Sequence, residues 1–183
     1  MSKLLDSCSG TDAVAHKADG FTGARRRPIE ERLTYVRSVL LIGYGNSIRG
    51  DDGFGIEAAE HFRDKLKNQL IRVLTCQQLT PELASEMSKV DRVIMIDAAR
   101  GNTAGLITVR KIEPENGVAA FTHEIQPSTL LEMSRELYGT CPETFLVSVT
   151  GYSFEFSDKL SDDLTRIMPQ VLTRVSELLD KES

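Results

Sequence analysis

The sequence predicts an α/β fold: a three-layer α/β/α sandwich around a mostly parallel five-stranded sheet. Three observations carry this reading. Short apolar runs rich in β-branched residues alternate with stretches of helical periodicity, the pattern of strands joined by crossover helices. One run, Arg92-Val-Ile-Met-Ile-Asp97, is apolar at every interior position, as in a strand covered on both faces. Another, Leu106–Ile112, alternates better and follows it without a crossover helix, so it is the antiparallel strand and lies near an edge.

Residues 1–35 are rich in Ser, Gly, Ala, Asp and Lys and lack periodicity. They read as a flexible N-terminal extension, with room for a short helix around Ile29–Tyr35. Residues 36–183 then form a single α/β domain, long enough to bury a sizeable core. Strand one is expected over Ser38–Gly43. The helix after it, Gly53–Leu66, places Ile56, Ala59, Phe62 and Leu66 three or four apart on one face. Ile71–Thr75 is a second short strand. Thr80 then stands as an N-cap and Pro81 as the first residue of a helix reaching Ser88. Strand three is Arg92–Asp97, strand four Leu106–Ile112, and the polar stretch Glu113–Thr122 is irregular. Pro127 opens a helix with Leu130, Leu131, Leu137 and Tyr138 facing inward. Phe145–Val149 is the last strand. A C-terminal helix starts at Ser161 and buries a stripe from Leu164 to Leu179, with Pro169 expected to kink or split it.

Composition excludes several classes. The longest apolar runs are five or six residues, too short to span a bilayer. The net charge of −5, with basic residues scattered apart from Arg25-Arg-Arg27, argues against nucleic acid as the partner. Cys8, Cys76 and Cys141 lie far apart and form no CxxC pair, against a zinc ribbon or a disulfide framework. Reduced thiols fit a cytoplasmic protein, and the N-terminus shows no secretory h-region.

The turn between strand one and the first helix is the most distinctive stretch: Gly43-Tyr-Gly45-Asn46-Ser-Ile-Arg-Gly50-Asp51-Asp52-Gly53-Phe-Gly55. In parallel sheets, ligands bind beyond the carboxyl ends of the strands. The polar residues expected there are Asn46, Asp51 and Asp52 after strand one, Asp97 at the end of strand three, and His123 before the Pro127 helix. One aspartate of the adjacent pair is explained by helix capping; the second suggests a carboxylate pointing elsewhere. Asp97, closing an apolar run, is either hydrogen-bonded, paired or metal-bound, or a turn residue of the Ala-Ala-Arg-Gly loop. His123 begins His-Glu-Ile-Gln-Pro127, which fails the HExxH zinc signature. His16 lies in the extension and His61 within the first helix. Two carboxylates and one imidazole suit a divalent metal with open coordination positions.

Other chemistries are less well supported. There is no G-x-S-x-G elbow, and nothing marks a cysteine as paired with a histidine. A dinucleotide site is disfavoured because the third glycine falls late, at Gly50. Asp51 and Asp52 then stand where a pyrophosphate needs bare N–H groups, and no acidic residue ends strand two.

The stretch Leu40–Gly55 (LLIGYGNSIRGDDGFG) resembles the N-terminal signature of the hydrogenase maturation endopeptidases. These enzymes trim the C-terminal peptide from the large subunit of nickel–iron hydrogenases. The resemblance continues through Val93-Ile-Met-Ile-Asp97-Ala, Thr122-His123 and Ser148-Val-Thr-Gly151, covering roughly residues 38–180. It implies a sandwich with one antiparallel strand, and metal engagement by Asp52, Asp97 and His123, which are also the expected catalytic residues. Asp51 caps the helix or orients the site, and Gly43, Gly45 and Asn46 shape the supporting loop. The resemblance further implies nickel as the ion and a precursor of a hydrogenase large subunit as the partner, and the ion is expected to be supplied by that substrate rather than held by the free protein. Cys76-Gln77-Gln78-Leu79-Thr80-Pro81 stands where many members carry an acidic, glycine-rich segment. It looks more like the subgroup serving bidirectional, NAD-linked hydrogenases. The extension before Val36 departs from the family pattern. The alternative to an enzyme is a non-catalytic, chaperone-like module that recognises the metal-loaded subunit without cutting it.

Overall fold

Residues 37–63, 70–115 and 125–180 are described by the computed structural model of the chain. The extension, the end of the first helix with Leu66, most of the stretch Glu113–Thr122, and His123 lie outside the described residues. Five strands form one sheet: β1 (Val39–Tyr44), β2 (Ile71–Cys76), β3 (Arg92–Ala99), β4 (Ile107–Ile112) and β5 (Glu143–Thr150). Their spatial order is β2-β1-β3-β5-β4, parallel throughout except for β4, which runs antiparallel to β5 at the edge. The helices are α1 (Phe54–Arg63), α2 (Leu83–Met87), α3 (Pro127–Tyr138) and α4 (Asp162–Asp180).

Side-chain alternation along the strands creates the three layers. Leu41, Ile94, Ile96 and Val147 point to one face and meet Phe54, Ala58 and Phe62 of α1 and Leu164, Val171 and Val175 of α4. Leu40, Ile42, Val93, Met95 and Leu146 point to the other and meet Ala84 and Met87 of α2 and Leu130 and Leu131 of α3. Both faces of β3 are therefore buried, as its apolar run requires. The chain goes from β1 to β2 on one side, then crosses to β3 on the other. That reversal opens a crevice at the carboxyl ends of β1 and β3.

Several local expectations are corrected. Strand β3 continues past Asp97 because its parallel pairing with β5 persists through Ala99↔Thr150. Helix α1 buries Phe54, Gly55, Ala58, Ala59 and Phe62, leaving Ile56 half-buried, so its stripe is rotated from the expected one. The helix expected from Pro81 starts at Leu83, because the Leu83 and Ala84 N–H groups close short turns on the Thr80 and Pro81 carbonyls. Leu137 and Tyr138 are exposed rather than inward. Helix α4 runs unbroken through Pro169. Pro169 and Thr165 both lie on the solvent side, where the carbonyl deprived of its helical donor can bond to water.

A buried ion pair ties strand starts to the end of α4. The Arg92 guanidinium, 1% exposed, donates to Glu143 Oε2 at 2.7 and 3.0 Å and to the Leu178 carbonyl at 2.6 Å. Arg37 adds a second cation to the same carboxylate at 2.9 Å. Burial pushes the Glu143 carboxyl up, but Arg92 and then Arg37 together outweigh it and hold it below its ordinary value. This stabilisation is fully present above the ordinary glutamate range and is lost as pH falls through the lower value in the fold. Glu143→Gln should therefore flatten the acid limb of stability. Urea midpoints between about pH 3 and pH 6 check it; a variant losing stability with acid as steeply as the parent would contradict it.

Candidate active site

The crevice at the carboxyl ends of β1 and β3 holds a cavity of about 590 Å3. Asp52 and Asp97 both line it, with Asn46 and Gly45 from the glycine loop, Gln77 and Gln78 after β2, and Ile125 to Pro127 at the start of α3. Two of the three residues expected to bind metal are thus brought to one cavity. His123 lies outside the described residues. Among the described residues, no three His, Cys, Asp or Glu side chains gather as a metal-binding group.

The glycine loop separates the roles of the two adjacent aspartates. A short 3-10 turn, Gly50–Gly53, leads into α1. Asp51 is fully buried in it and does not line the cavity; its carboxylate turns to the segment after β5. Oδ2 accepts the N–H groups of Tyr152 at 2.7 Å and Ser153 at 2.8 Å, and the Ser161 hydroxyl at 3.0 Å. Oδ1 accepts the Ser161 N–H at 2.7 Å. Ser161 in turn caps α4, its Oγ accepting the Leu164 N–H at 3.3 Å. Asp51 therefore secures the start of α4 rather than that of α1.

Asp52 is half-buried, and its Oδ2 accepts the Asn46 N–H at 3.0 Å. The Asn46 side chain accepts the Ile48 N–H at 3.1 Å, closing a local turn, so Asn46 shapes the loop. Gly45 makes this geometry possible. Its φ is +135°, and a Cβ there would overlap the Asp52 carbonyl oxygen. At Gly55 the first turn of α1 lies against the carbonyls of Tyr44 and Ile96, again leaving no room for a Cβ.

Asp97 sits inside β3, opposite Ser148 of β5, and is half-buried. It is not a turn residue of the loop that follows. The register of β1 against β3 brings Tyr44 beside it on the face shared with Ile42 and Met95. Burial, and then the Asp97 carboxylate to which its hydroxyl donates, push the Tyr44 phenol above its ordinary range. Tyr44 is thus a neutral donor holding Asp97 at the cavity wall. Sequence reading missed Tyr44. The strand was expected to end at Gly43, and both the place of Tyr44 in β1 and its neighbour became apparent only with the strand pairing.

Cys76 is half-buried, with its thiol pushed up by burial, and Cys141 is exposed; both are free. A nucleophilic thiolate role is unsupported for either. Among the described residues, no helix is long and apolar enough to cross a membrane.

The fold is shared with solved structures. A [NiFe] hydrogenase maturation protease, HycI from Thermococcus kodakarensis, superposes with a TM-score of 0.65 at 21% identity, over 84% of this chain and 100% of its own. The hydrogenase maturating endopeptidase HybD from E. coli gives 0.64 at 24% identity, over 77% and 91%. A hydrogenase 2 maturation peptidase from a Thaumarchaeota archaeon gives 0.58 at 20% identity, over 79% and 99%. No protein-family model matches the chain, and no curated protein matches it. At these identities the likeness establishes the fold and leaves the chemistry to be argued from the site.

Proposed function

We propose that this protein is a cytoplasmic endopeptidase that removes the C-terminal extension from the nickel-loaded precursor of a hydrogenase large subunit, in the bidirectional, NAD-linked subgroup. The observation that carries the reading is the convergence of Asp52 and Asp97 on one cavity at the switch point of the sheet. Solved proteins with this fold are themselves maturation proteases, which supports the same class of substrate. Asp52 and Asp97 supply hard oxygen donors, and His123 completes the trio. The nickel belongs to the substrate, and the trio engages it with the scissile bond nearby. Hydrolysis adds water across the amide, leaving a carboxylate on the subunit and an amine on the released peptide. The glycine loop packs closely on the chain's own carbonyls and so sets Asp52 at the cavity.

Intact-mass measurement of the purified precursor before and after mixing tests the reading. The expected result is a large subunit shortened by one defined peptide. A precursor that binds but keeps its full mass would instead establish the non-catalytic, chaperone-like module.

Tyr44 has its own expected effect. Tyr44→Phe keeps the ring and removes the donor to Asp97, at a stability cost of about 1 kcal/mol. Cleavage should slow by about tenfold through kcat, with KM for the precursor unchanged, as for a group that acts by holding another. A change confined to KM would show that Tyr44 contacts the peptide instead.

A further inference from the structure

The same cavity carries two cations that the proteolytic chemistry does not use. Arg49, in the glycine loop, and Arg100, just after β3, both line it. Among the described residues, neither guanidinium forms a salt bridge or a side-chain hydrogen bond, although Asp52 and Asp97 line the same cavity. Those carboxylates are served by other donors, Asp52 by the Asn46 N–H and Asp97 by the Tyr44 hydroxyl.

The Arg100 guanidinium is held by a ring, and the Arg49 backbone is fixed in the loop. The Arg100 guanidinium carbon lies 4.5 Å from the centroid of the Phe154 ring, also in the cavity wall, which orients the planar group before any ligand arrives. The Arg49 backbone is fixed on both sides. Its N–H donates to the Asn46 carbonyl at 3.0 Å, its carbonyl accepts the Asp52 N–H at 3.2 Å, and it bridges to Ser157. Guanidinium groups pair with carboxylates in a planar, two-pronged manner that an ammonium group does not reproduce. Groups oriented in advance lose less freedom on binding.

We infer that Arg49 and Arg100 form a carboxylate-recognition element on the cavity wall that selects a peptide by a negative charge on its departing extension. The inference rests on the peptidase reading for the identity of that peptide. The carboxylate is either an acidic side chain of the departing extension or its terminal α-carboxylate, two sources of one chemistry.

The test uses fluorescein-labelled synthetic peptides of the extension sequence in four forms, with acidic side chains intact or replaced by their amides, and with the terminus free or amidated. Their binding is titrated by anisotropy against the full chain and its Arg49→Gln, Arg100→Gln, doubly substituted and Arg100→Lys variants. The unmodified protein should prefer a carboxylate form by about tenfold, and the double variant should lose that preference while binding the fully amidated form unchanged. Arg100→Lys should restore only part of it. Whichever replacement abolishes the preference identifies the carboxylate. Equal or absent binding of all four forms by the unmodified protein, or a preference that survives in the double variant, overturns the inference. Intact-mass analysis of the precursor runs alongside. A precursor left at full length sinks the peptidase reading, while the peptide titrations still decide the carboxylate element.

Discussion

Asp51→Ala should cost about 4 kcal/mol or more of stability. The carboxylate is fully buried and accepts three backbone N–H groups and one hydroxyl at 2.7 to 3.0 Å. Each buried donor left without a partner costs about 1–3 kcal/mol, partly recovered where water enters. For a domain of this size that is a fall of about 10 °C in melting temperature. Asp51→Asn should cost roughly half as much. Its amide oxygen can replace one carboxylate oxygen, but its NH2 group then faces a backbone donor. Had Asp51 capped α1 alone, asparagine would have replaced it almost without loss. Thermal melts of the two variants decide: a near-neutral Asp51→Asn would contradict the bonding described here.

Asp97→Asn and Asp52→Asn should show the opposite behaviour, with the fold kept and processing lost. Both side chains are half-buried at the cavity, and asparagine matches aspartate in size. In Asp97→Asn the amide oxygen could still accept the Tyr44 hydroxyl, so the stability change should stay within about 1 kcal/mol. Replacing a charged donor of the machinery should lower cleavage by about a thousandfold or more. His123→Ala belongs with them in activity. Melting curves and precursor processing measured on the same preparations separate the two behaviours. A variant that matures its subunit at the parent rate would remove that residue from the site.

The contrast between the two aspartates shows where sequence reasoning reached its limit. The doublet was read as one carboxylate capping the first helix and one free for another task; Asp52 lines the cavity, but Asp51 bonds to the segment after β5 instead of capping α1. What Asp51 holds was not legible, because Tyr152, Ser153 and Ser161 lie about a hundred residues away. Strand β3 could be read as central because burial on both faces leaves an unbroken apolar run. Strand β4 could be read as antiparallel because no crossover helix fits before it. Helical periodicity alone placed Leu137 on the inward face of α3, since it fixes rotation but not how far the neighbouring layer extends. The helix closes there on Gly139, whose N–H reaches the Arg135 carbonyl at 3.0 Å. Pro169 misled for a related reason. The carbonyl it leaves without a helical donor faces water, where the loss is small.

The most direct test of the proposed chemistry concerns where the ion comes from. The chain is treated with a chelator, the chelator is removed, and the protein is offered two precursors, one nickel-loaded and one nickel-free. Intact masses are followed over time. If Asp52, Asp97 and His123 engage an ion already seated in the substrate, the treated protein cuts the loaded precursor at the untreated rate and leaves the nickel-free one whole. Cleavage of the nickel-free precursor, or a treated protein that needs its own metal restored before it can cut the loaded one, would contradict that claim.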